Sequence, residues 1–386
     1  MKTRNLNLLY LHSIFFDLCD SMVFLALPIF VYQVYESISA VFLFQLIWGM
    51  LDFMIFIPVF NLGMHLKNPK YFMALGIVFY VFALFFLGRS DGTSNAPIIL
   101  ATVFYTLYAS FYWLIRHWFF SLNADHKKVG RQVTIANAIT LLMGFIGPIL
   151  AGILSQLSSF NATFFFAAFF AFLGIVPILF FHAPPHPTQY GVKKVFKIIQ
   201  KPELKSIRMT HFWEGAEYLF AGIPWLLAFT IFIGDILDLG LMVGITTLLI
   251  FLVSWRVGKW FDGRKRRQAL VRTTWLHAMA TLLLSATCFI PHLVYASFAN
   301  FLNNLSYTAS STVSESYLYG LSNRIHPIHF HLNREIYLAL GRMISAGILA
   351  VSFYFLPDTY LWLAIALGGI FSLGRLGIKK VDHLLH

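Results

Sequence analysis

Two long stretches without a charged side chain dominate this sequence. No Asp, Glu, Lys or Arg occurs in the 61 residues 132–192 or in the 42 residues 273–314. A helix that crosses the hydrocarbon core of a bilayer needs about 20 apolar residues, so each stretch is long enough for two spans. Turn residues divide each stretch, at Ser158-Ser159-Phe160-Asn161 and at Pro291-His292. The pattern therefore predicts paired transmembrane helices.

The composition extends this prediction to the whole chain. Hydrophobic residues make up 59% of the 386 residues and charged residues only 11%, against about a quarter in soluble domains. Because every amide in hydrocarbon has to be hydrogen-bonded within its own segment, and no alternating strand pattern occurs, the spans are predicted to be α-helices. Cys19 and Cys288 both fall in apolar spans, which indicates neither a disulfide framework nor a metal site.

Hydropathy predicts an all-α membrane protein with twelve transmembrane helices. They cover residues 8–34, 37–62, 70–88, 95–121, 132–157, 160–182, 209–233, 237–256, 268–290, 292–319, 334–356 and 359–378. The first span is too long for the core of a signal peptide, so we expect it to remain as a helix. A proline-containing, basic stretch follows the sixth span. We therefore predict a six-helix bundle at 1–182, a cytoplasmic linker at 183–208 and a second six-helix bundle at 209–386.

The basic residues predict the orientation of the chain. Of the 28 Lys and Arg residues, 26 lie on or near one face of the predicted topology, whereas Arg89 lies in an opposite loop. This alternation explains the net charge of +12 without nucleic acid as a partner. The positive-inside rule then places both termini in the cytoplasm, in an inner or plasma membrane whose anionic lipids attract the linker.

A short repeat links the two halves. Two acids spaced by three residues precede a proline in the first helix (Asp17, Asp20) and again in the seventh (Glu214, Glu217). The acids of the two pairs are offset by 197 residues, about half the chain. Such an offset predicts two pseudo-symmetric halves.

The loop after the eighth span carries the clearest motif. It reads Gly258-Lys259-Trp260-Phe261-Asp262-Gly263-Arg264-Lys265-Arg266-Arg267, an acid between two glycines followed by a basic cluster. This run resembles the signature cytoplasmic loop of the major facilitator superfamily, and the resemblance covers essentially the full chain. It implies a twelve-helix secondary transporter with a gating loop that closes the cytoplasmic side through charge pairs. The loop residues so implied are Gly258, Asp262, Gly263, Arg264 and Arg266.

Charged residues inside the spans are the candidates for function. Each charge at the bilayer centre costs about 2.5–3.5 kcal/mol on insertion scales, so it needs a hydrated cavity, a partner or a proton. In the resembled fold, helices 1 and 7 line the central cavity. The candidates for binding the solute or protons are Asp17, Asp20, Glu214, Glu217, Glu315 and Arg116. The alternative is that these acids only pair with Arg116 or with cations at helix ends.

Three histidines precede the eleventh span. His326, His329 and His331 have a spacing that suits zinc or nickel, but no Cys or acid in the predicted loop completes such a site. We therefore expect a solvated loop, and we predict neither a metal nor a cofactor. Glu335 is expected to form a structural ion pair with Arg334 or Arg342.

The leading interpretation is transport of a small solute by alternating access with proton coupling, by a monomer within the bilayer. An arginine early in helix 4 is typical of drug antiporters in the resembled family, and Arg116 lies late in that helix. An integral-membrane enzyme acting on lipid-linked substrates is a second hypothesis, although the sequence has no phosphate-binding loop, zinc-protease motif or serine elbow. A transport-inactive sensor or scaffold on the same fold is the third.

Overall fold

The computed structural model describes residues 2–65, 68–92, 94–124, 129–182, 197, 200, 202–257, 266–325 and 327–385. These residues form twelve membrane-type helices and no β-strand. The first six are α1 (Lys2–Tyr35), α2 (Ile38–His65), α3 (Pro69–Leu87), α4 (Ala96–Asn123), α5 (Val129–Leu157) and α6 (Phe160–Leu179). The second six are α7 (Lys205–Phe232), α8 (Ile236–Val257), α9 (Arg266–Ser285), α10 (Leu293–Ile325), α11 (Pro327–Phe355) and α12 (Leu361–Ser372).

Three of these helices contain other helical turns. A π-helical turn, Tyr218–Gly222, interrupts α7 near its middle. The 3-10 turn Ala286–Cys288 continues α9, and the 3-10 segment Leu373–Leu385 continues α12. The all-helical prediction is therefore confirmed.

Ten helices, α1 to α8 with α11 and α12, are long and apolar enough to cross a membrane. In α9 and α10 polar side chains lower the hydropathy, and these side chains face each other inside the protein. Thr274 of α9 lies 3.1 Å from Ser310 of α10, and Thr281 donates to Asn303 at 2.8 Å. Large apolar side chains such as Leu157 and Tyr354 are instead exposed on the outside, where lipid contacts a multi-pass membrane protein.

Short turns join α1 to α2, α5 to α6 and α7 to α8, so the two helices of each of these pairs run in opposite directions. Ser159 caps α6 by accepting a hydrogen bond from the Ala162 amide at 3.2 Å, and Asn68 caps α3 in the same way at Lys70. We call the side at which α1 begins the near face and the opposite side the far face. The far-face turns carry acids, among them Glu36, Asp235 and Asp358. Assignment of the near face to the cytoplasm remains a prediction.

The two halves contact each other chiefly through α2 with α11 and α5 with α8. Toward the far face, Ser39 of α2 donates to the Ala350 carbonyl of α11 at 2.8 Å. Gly152 of α5 lies so close to α8 that a Cβ atom there would be 2.9 Å from the Ile236 carbonyl oxygen. The far-face side of the interface between the halves is thus closely packed.

One predicted loop is wrong. Helix α11 begins at Pro327 rather than at 334, because proline is well tolerated in the first turn of a helix. His331 consequently lies inside α11 and is only 2% exposed, so it is not part of a solvated loop. His326 and the side chain of His329 lie outside the described part of the chain.

Two other predictions fall largely on residues that the structure does not describe. The linker prediction covers 183–208, of which 183–196 are outside, and α7 already begins at Lys205. The proposed bundle boundaries therefore stay predictions. Of the gating loop, residues 258–265 are also outside, and only the backbone of Arg266 is described, at the start of α9.

Candidate functional site

A cavity of about 500 Å³ lies between the two halves. Helices α1, α4 and α5 of the first half and α10 of the second half line it. It extends from the middle of the helices toward the near face, since most of its lining residues occupy the near-face halves of the four helices. The polar and charged lining residues are Ser13, Asp17, Asp20, Ser21, Arg116, His117, Asn137, Thr140, Thr308, Ser311 and Glu315.

Asp17 on α1 has partners within its own half. One carboxylate oxygen accepts a hydrogen bond from Thr140 of α5 at 2.7 Å, and the other lies 3.8 Å from Nη2 of Arg116. Arg116 also donates to Ser13 at 3.2 Å and places its guanidinium 5.4 Å from the ring centre of Trp113. The charge of Arg116 is therefore directed at Asp17.

Asp20 lies one helical turn further along α1 and also lines the cavity. Its carboxylate accepts a hydrogen bond from Tyr80 of α3 at 3.4 Å. Tyr80 is held by a stacked contact with Tyr108, with ring centres 4.2 Å apart. Within the described chain, no Lys or Arg nitrogen approaches the Asp20 carboxylate within 4 Å. Its hydrogen-bonding partner is therefore neutral, and Arg116 and Arg342 act on it only from beyond ion-pair distance.

Glu315 brings a third carboxyl group to the cavity from the opposite half. It projects from α10 into the cavity, which Asn137 of α5 also lines. Asn137 donates to Thr312 at 3.2 Å. Like Asp20, Glu315 forms no ion pair with the described cations. The cavity thus contains three carboxyl groups and one guanidinium group.

The acids on α7 lie elsewhere. Glu217 is 5% exposed, and its carboxylate lies 2.7 Å from Nε2 of His277 and 3.1 Å from Nη2 of Arg375. Glu214 lies 3.2 Å from Nδ1 of His211. Neither glutamate is among the residues that line the cavity described above. Their surroundings match the alternative of internal ion pairing.

A second polar cluster crosses the interface between the halves at the near-face end of the cavity. His117 of α4 lies 3.0 Å from the Tyr319 hydroxyl of α10 and 2.6 Å from Nη1 of Arg334 of α11. Arg334 also forms the expected ion pair with Glu335, at 3.4 Å. In the same region, His331 lies 2.8 Å from Ser121. We call His117, Ser121, Tyr319, His331, Arg334 and Glu335 the near-face cluster.

Comparison with solved structures identifies the arrangement of helices. A POT-family transporter in complex with 5-aminolevulinic acid aligns with a TM-score of 0.73 at 12% identity, covering 99% of this chain and 96% of that one. The human organic anion transporter MFSD10 aligns at 0.72 and 12% identity, over 99% of both chains. The Escherichia coli fucose:proton symporter FucP aligns at 0.64 and 12% identity, over 96% of this chain and 98% of the symporter. The chain has the major facilitator fold. No family profile and no curated protein matches the sequence itself.

The two halves of this major facilitator fold repeat one contact that the sequence analysis missed. Tyr80 of α3 contacts Asp20 of α1, and His277 of α9 contacts Glu217 of α7. Both members of the second pair lie 197 residues after those of the first, since 277 − 80 and 217 − 20 give the same offset. Applying the offset of the acids to helix 3 would have identified His277. Arg375, by contrast, has no counterpart at this offset in the first half.

Proposed function

We propose that this protein is a secondary transporter that moves a small solute by alternating access and couples this movement to protons. The cavity with carboxyl groups from both halves is the observation that carries the proposal. Asp20 and Glu315 exchange protons, and Asp17 is held by Arg116 and Thr140. The transporters that share the fold support transport as the general activity.

Desolvation explains why these carboxyl groups suit such a role. A carboxylate without a partner is costly away from water, so its charge has to be removed by a proton or balanced by a bound cation. Asp20 has a tyrosine hydroxyl as its hydrogen-bonding partner, and neither Asp20 nor Glu315 forms an ion pair within the described chain. Any rearrangement that changes their contact with water therefore changes their affinity for protons.

The contacts between the halves support alternating access. Close packing of α5 with α8 and of α2 with α11 closes the far-face side, whereas the cavity extends toward the near face. Opening to the far face requires these helices to separate, and the near-face cluster then holds the other side together.

We include the gating loop at 258–266 in this proposal, with the near face in the cytoplasm of an inner or plasma membrane. Glu214 and Glu217 act in the proposal as internal partners of His211, His277 and Arg375.

Reconstitution into liposomes tests the proposal directly. The purified protein is compared with Asp20→Asn and Glu315→Gln while a panel of solutes is applied and an internal dye reports pH. Glu36→Gln is the matched control, because Glu36 is an exposed carboxyl group in a far-face turn. We expect solute-driven proton movement in the wild type and the control and its loss in both cavity variants. Unchanged proton movement in both cavity variants removes these acids from the mechanism.

A further inference from the structure

The charges in the cavity specify the kind of solute. We propose that the cavity binds an organic cation, meaning an ammonium or similar onium group attached to an apolar or aromatic body. This inference rests on the transport function proposed above and adds the chemical class of the substrate.

The balance of charge is the first argument. Asp17, Asp20 and Glu315 line the cavity with only one guanidinium group, that of Arg116, which is directed at Asp17. The neighbouring imidazole of His117 has both ring nitrogens engaged, by Arg334 and by Tyr319. Two carboxyl groups, those of Asp20 and Glu315, therefore form no ion pair in the described chain, and Arg116, Arg334 and Arg342 act on them only from beyond ion-pair distance. Walls with one sign of charge and low dielectric concentrate ligands of the opposite charge.

The aromatic lining is the second argument. Six large rings face the cavity, those of Tyr10, Phe24, Trp113, Phe120, Tyr307 and Tyr319. Two of them already contact arginines, Trp113 with Arg116 at 5.4 Å and Tyr307 with Arg375 at 4.8 Å. Aromatic faces bind organic ammonium groups through cation–π contacts and bind their apolar parts by burial. An inorganic cation needs oxygen ligands instead, so the rings favour an organic one.

The size of the cavity agrees with such a solute. Its volume of about 500 Å³ falls within the range of roughly 300–1,000 Å³ that is common for sites of small organic ligands. Asp20 and Glu315 belong to different halves, so a solute that contacts both connects the two halves. Binding then affects the position of one half against the other.

Binding of a cation also has consequences for protons. A carboxyl group that holds a proton has to lose it before it pairs with an ammonium group. The bound proton leaves to the solvent as the carboxylate forms its ion pair, so cation and proton compete for Asp20 and Glu315. We therefore expect binding to release protons and transport to exchange the cation for protons.

A pair of probes with the same shape and opposite charge tests the class of substrate. Tetraphenylphosphonium and tetraphenylborate differ in charge but hardly in size, and benzyltrimethylammonium and benzoate provide a smaller pair. Binding to the purified full-length protein in detergent is followed by radioligand or calorimetric titration, and a dye in weak buffer records released protons. We expect at least one cation of the two pairs to bind with proton release, and neither anion to bind comparably.

Variants connect the binding to the cavity. Asp20→Asn and Glu315→Gln are each expected to weaken cation binding at least tenfold and to reduce proton release, whereas Glu36→Gln leaves both unchanged. A size-exclusion profile like that of the wild type establishes that a variant is folded. Equal binding of anions, no binding of either cation, or full binding by both cavity variants overturns the inference.

The liposome assay separates this inference from the proposed function. Movement of a neutral or anionic solute that depends on Asp20 retains the transport function and refutes the organic cation. Cation binding in detergent without movement in liposomes supports the substrate class and contradicts transport.

Discussion

Arg334 donates a hydrogen bond to Nε2 of His117 at 2.6 Å, across the interface between the two halves at the near face. Arginine has donors and no acceptor, so Nε2 has to accept this bond with its lone pair. The imidazole is therefore neutral, with its proton on Nδ1 directed at the Tyr319 hydroxyl 3.0 Å away. A second proton on His117 would place a cation against the Arg334 guanidinium. The hydrogen bond between Arg334 and His117 thus forms only while His117 is neutral.

Acid is expected to open the near face through His117. Protonated His117 repels Arg334 and competes with it for Glu335, which lies 3.8 Å from Nε2. His331, stacked on His117 with ring centres 5.4 Å apart, adds to the repulsion when it is charged, as does Arg116 one residue away. His211 and Tyr319 are the other titratable groups that face His117. Opening should therefore increase in acid, once the pH is low enough to protonate His117.

Spin labels at the starts of α1 and α7 measure this opening. Arg4→Cys and Lys205→Cys place the labels at exposed near-face positions of the two halves, in a protein whose Cys19 and Cys288 are replaced by alanine. We expect longer label distances at low pH in the wild type. His117→Gln should remove this dependence, because glutamine accepts from Arg334 without gaining a proton. His12→Gln, whose bonds to Gly174 and Tyr112 stay within one half, should keep it. The same pH dependence in His117→Gln would contradict the prediction.

Removal of the Glu217 carboxylate is expected to destabilise the second half. Glu217→Gln leaves the Arg375 guanidinium, 3% exposed, without its ion-pair partner. Breaking a buried pair from one side costs about 3–5 kcal/mol, so the melting temperature in detergent should fall clearly. Glu217→Gln combined with Arg375→Met should recover much of this loss. A single variant with the melting temperature of the wild type but without proton coupling would instead assign Glu217 to the transport mechanism.

A larger side chain at Gly152 is expected to disturb the far-face contact between the halves. A Cβ atom there would lie 2.9 Å from the Ile236 carbonyl oxygen and 3.2 Å from the Leu237 Cα, both of which are backbone atoms of α8. Overpacking of this kind costs about 1–3 kcal/mol, and separation of α5 from α8 relieves it. Gly152→Val should therefore lower the melting temperature and increase thiol labelling of a cysteine introduced in the far-face half of α5. Gly222→Ala is the control, since its nearest neighbour would be 3.9 Å away.

The twelve helices could be predicted from the sequence because the cost of removing charges and backbone amides from water is set within each segment, independently of the rest of the chain. This holds even for α9 and α10, whose buried polar contacts reduce their hydropathy. The same local logic failed at His331, which hydropathy treats as a solvated residue. Inside the protein, its hydrogen-bonding partner is Ser121, 210 residues earlier in the chain. Such a partner is invisible until the two halves are packed together.

The acids inside the membrane also show which features the sequence predicts and which depend on the packing of the two halves. The sequence singles out two pairs of acids, Asp17 with Asp20 and Glu214 with Glu217, because a charge in hydrocarbon is costly. It gives no basis for distinguishing one pair from the other. The structure separates them, since Arg375 at the end of α12 lies against Glu217, 158 residues away. Asp20 has no counterpart of that arginine. Which acid of a pseudo-symmetric set remains available to a solute thus depends on long-range partners.

Removal of the Arg116 charge is expected to strengthen the binding of cations. Arg116 is the one guanidinium among the lining residues described for the cavity, and its loss frees Asp17 as a third unpaired carboxyl group. We expect Arg116→Gln to bind the organic cation that the wild type binds about tenfold more tightly at neutral pH, equivalent to about 1.4 kcal/mol. Arg116→Lys keeps the charge and should bind like the wild type, and titration of both variants makes the comparison. The thermal stability of Arg116→Gln should fall, because Asp17 loses its partner, and bound cation should restore it. Weaker cation binding by Arg116→Gln with normal binding by Arg116→Lys would show that the guanidinium orients the site rather than balancing its charge.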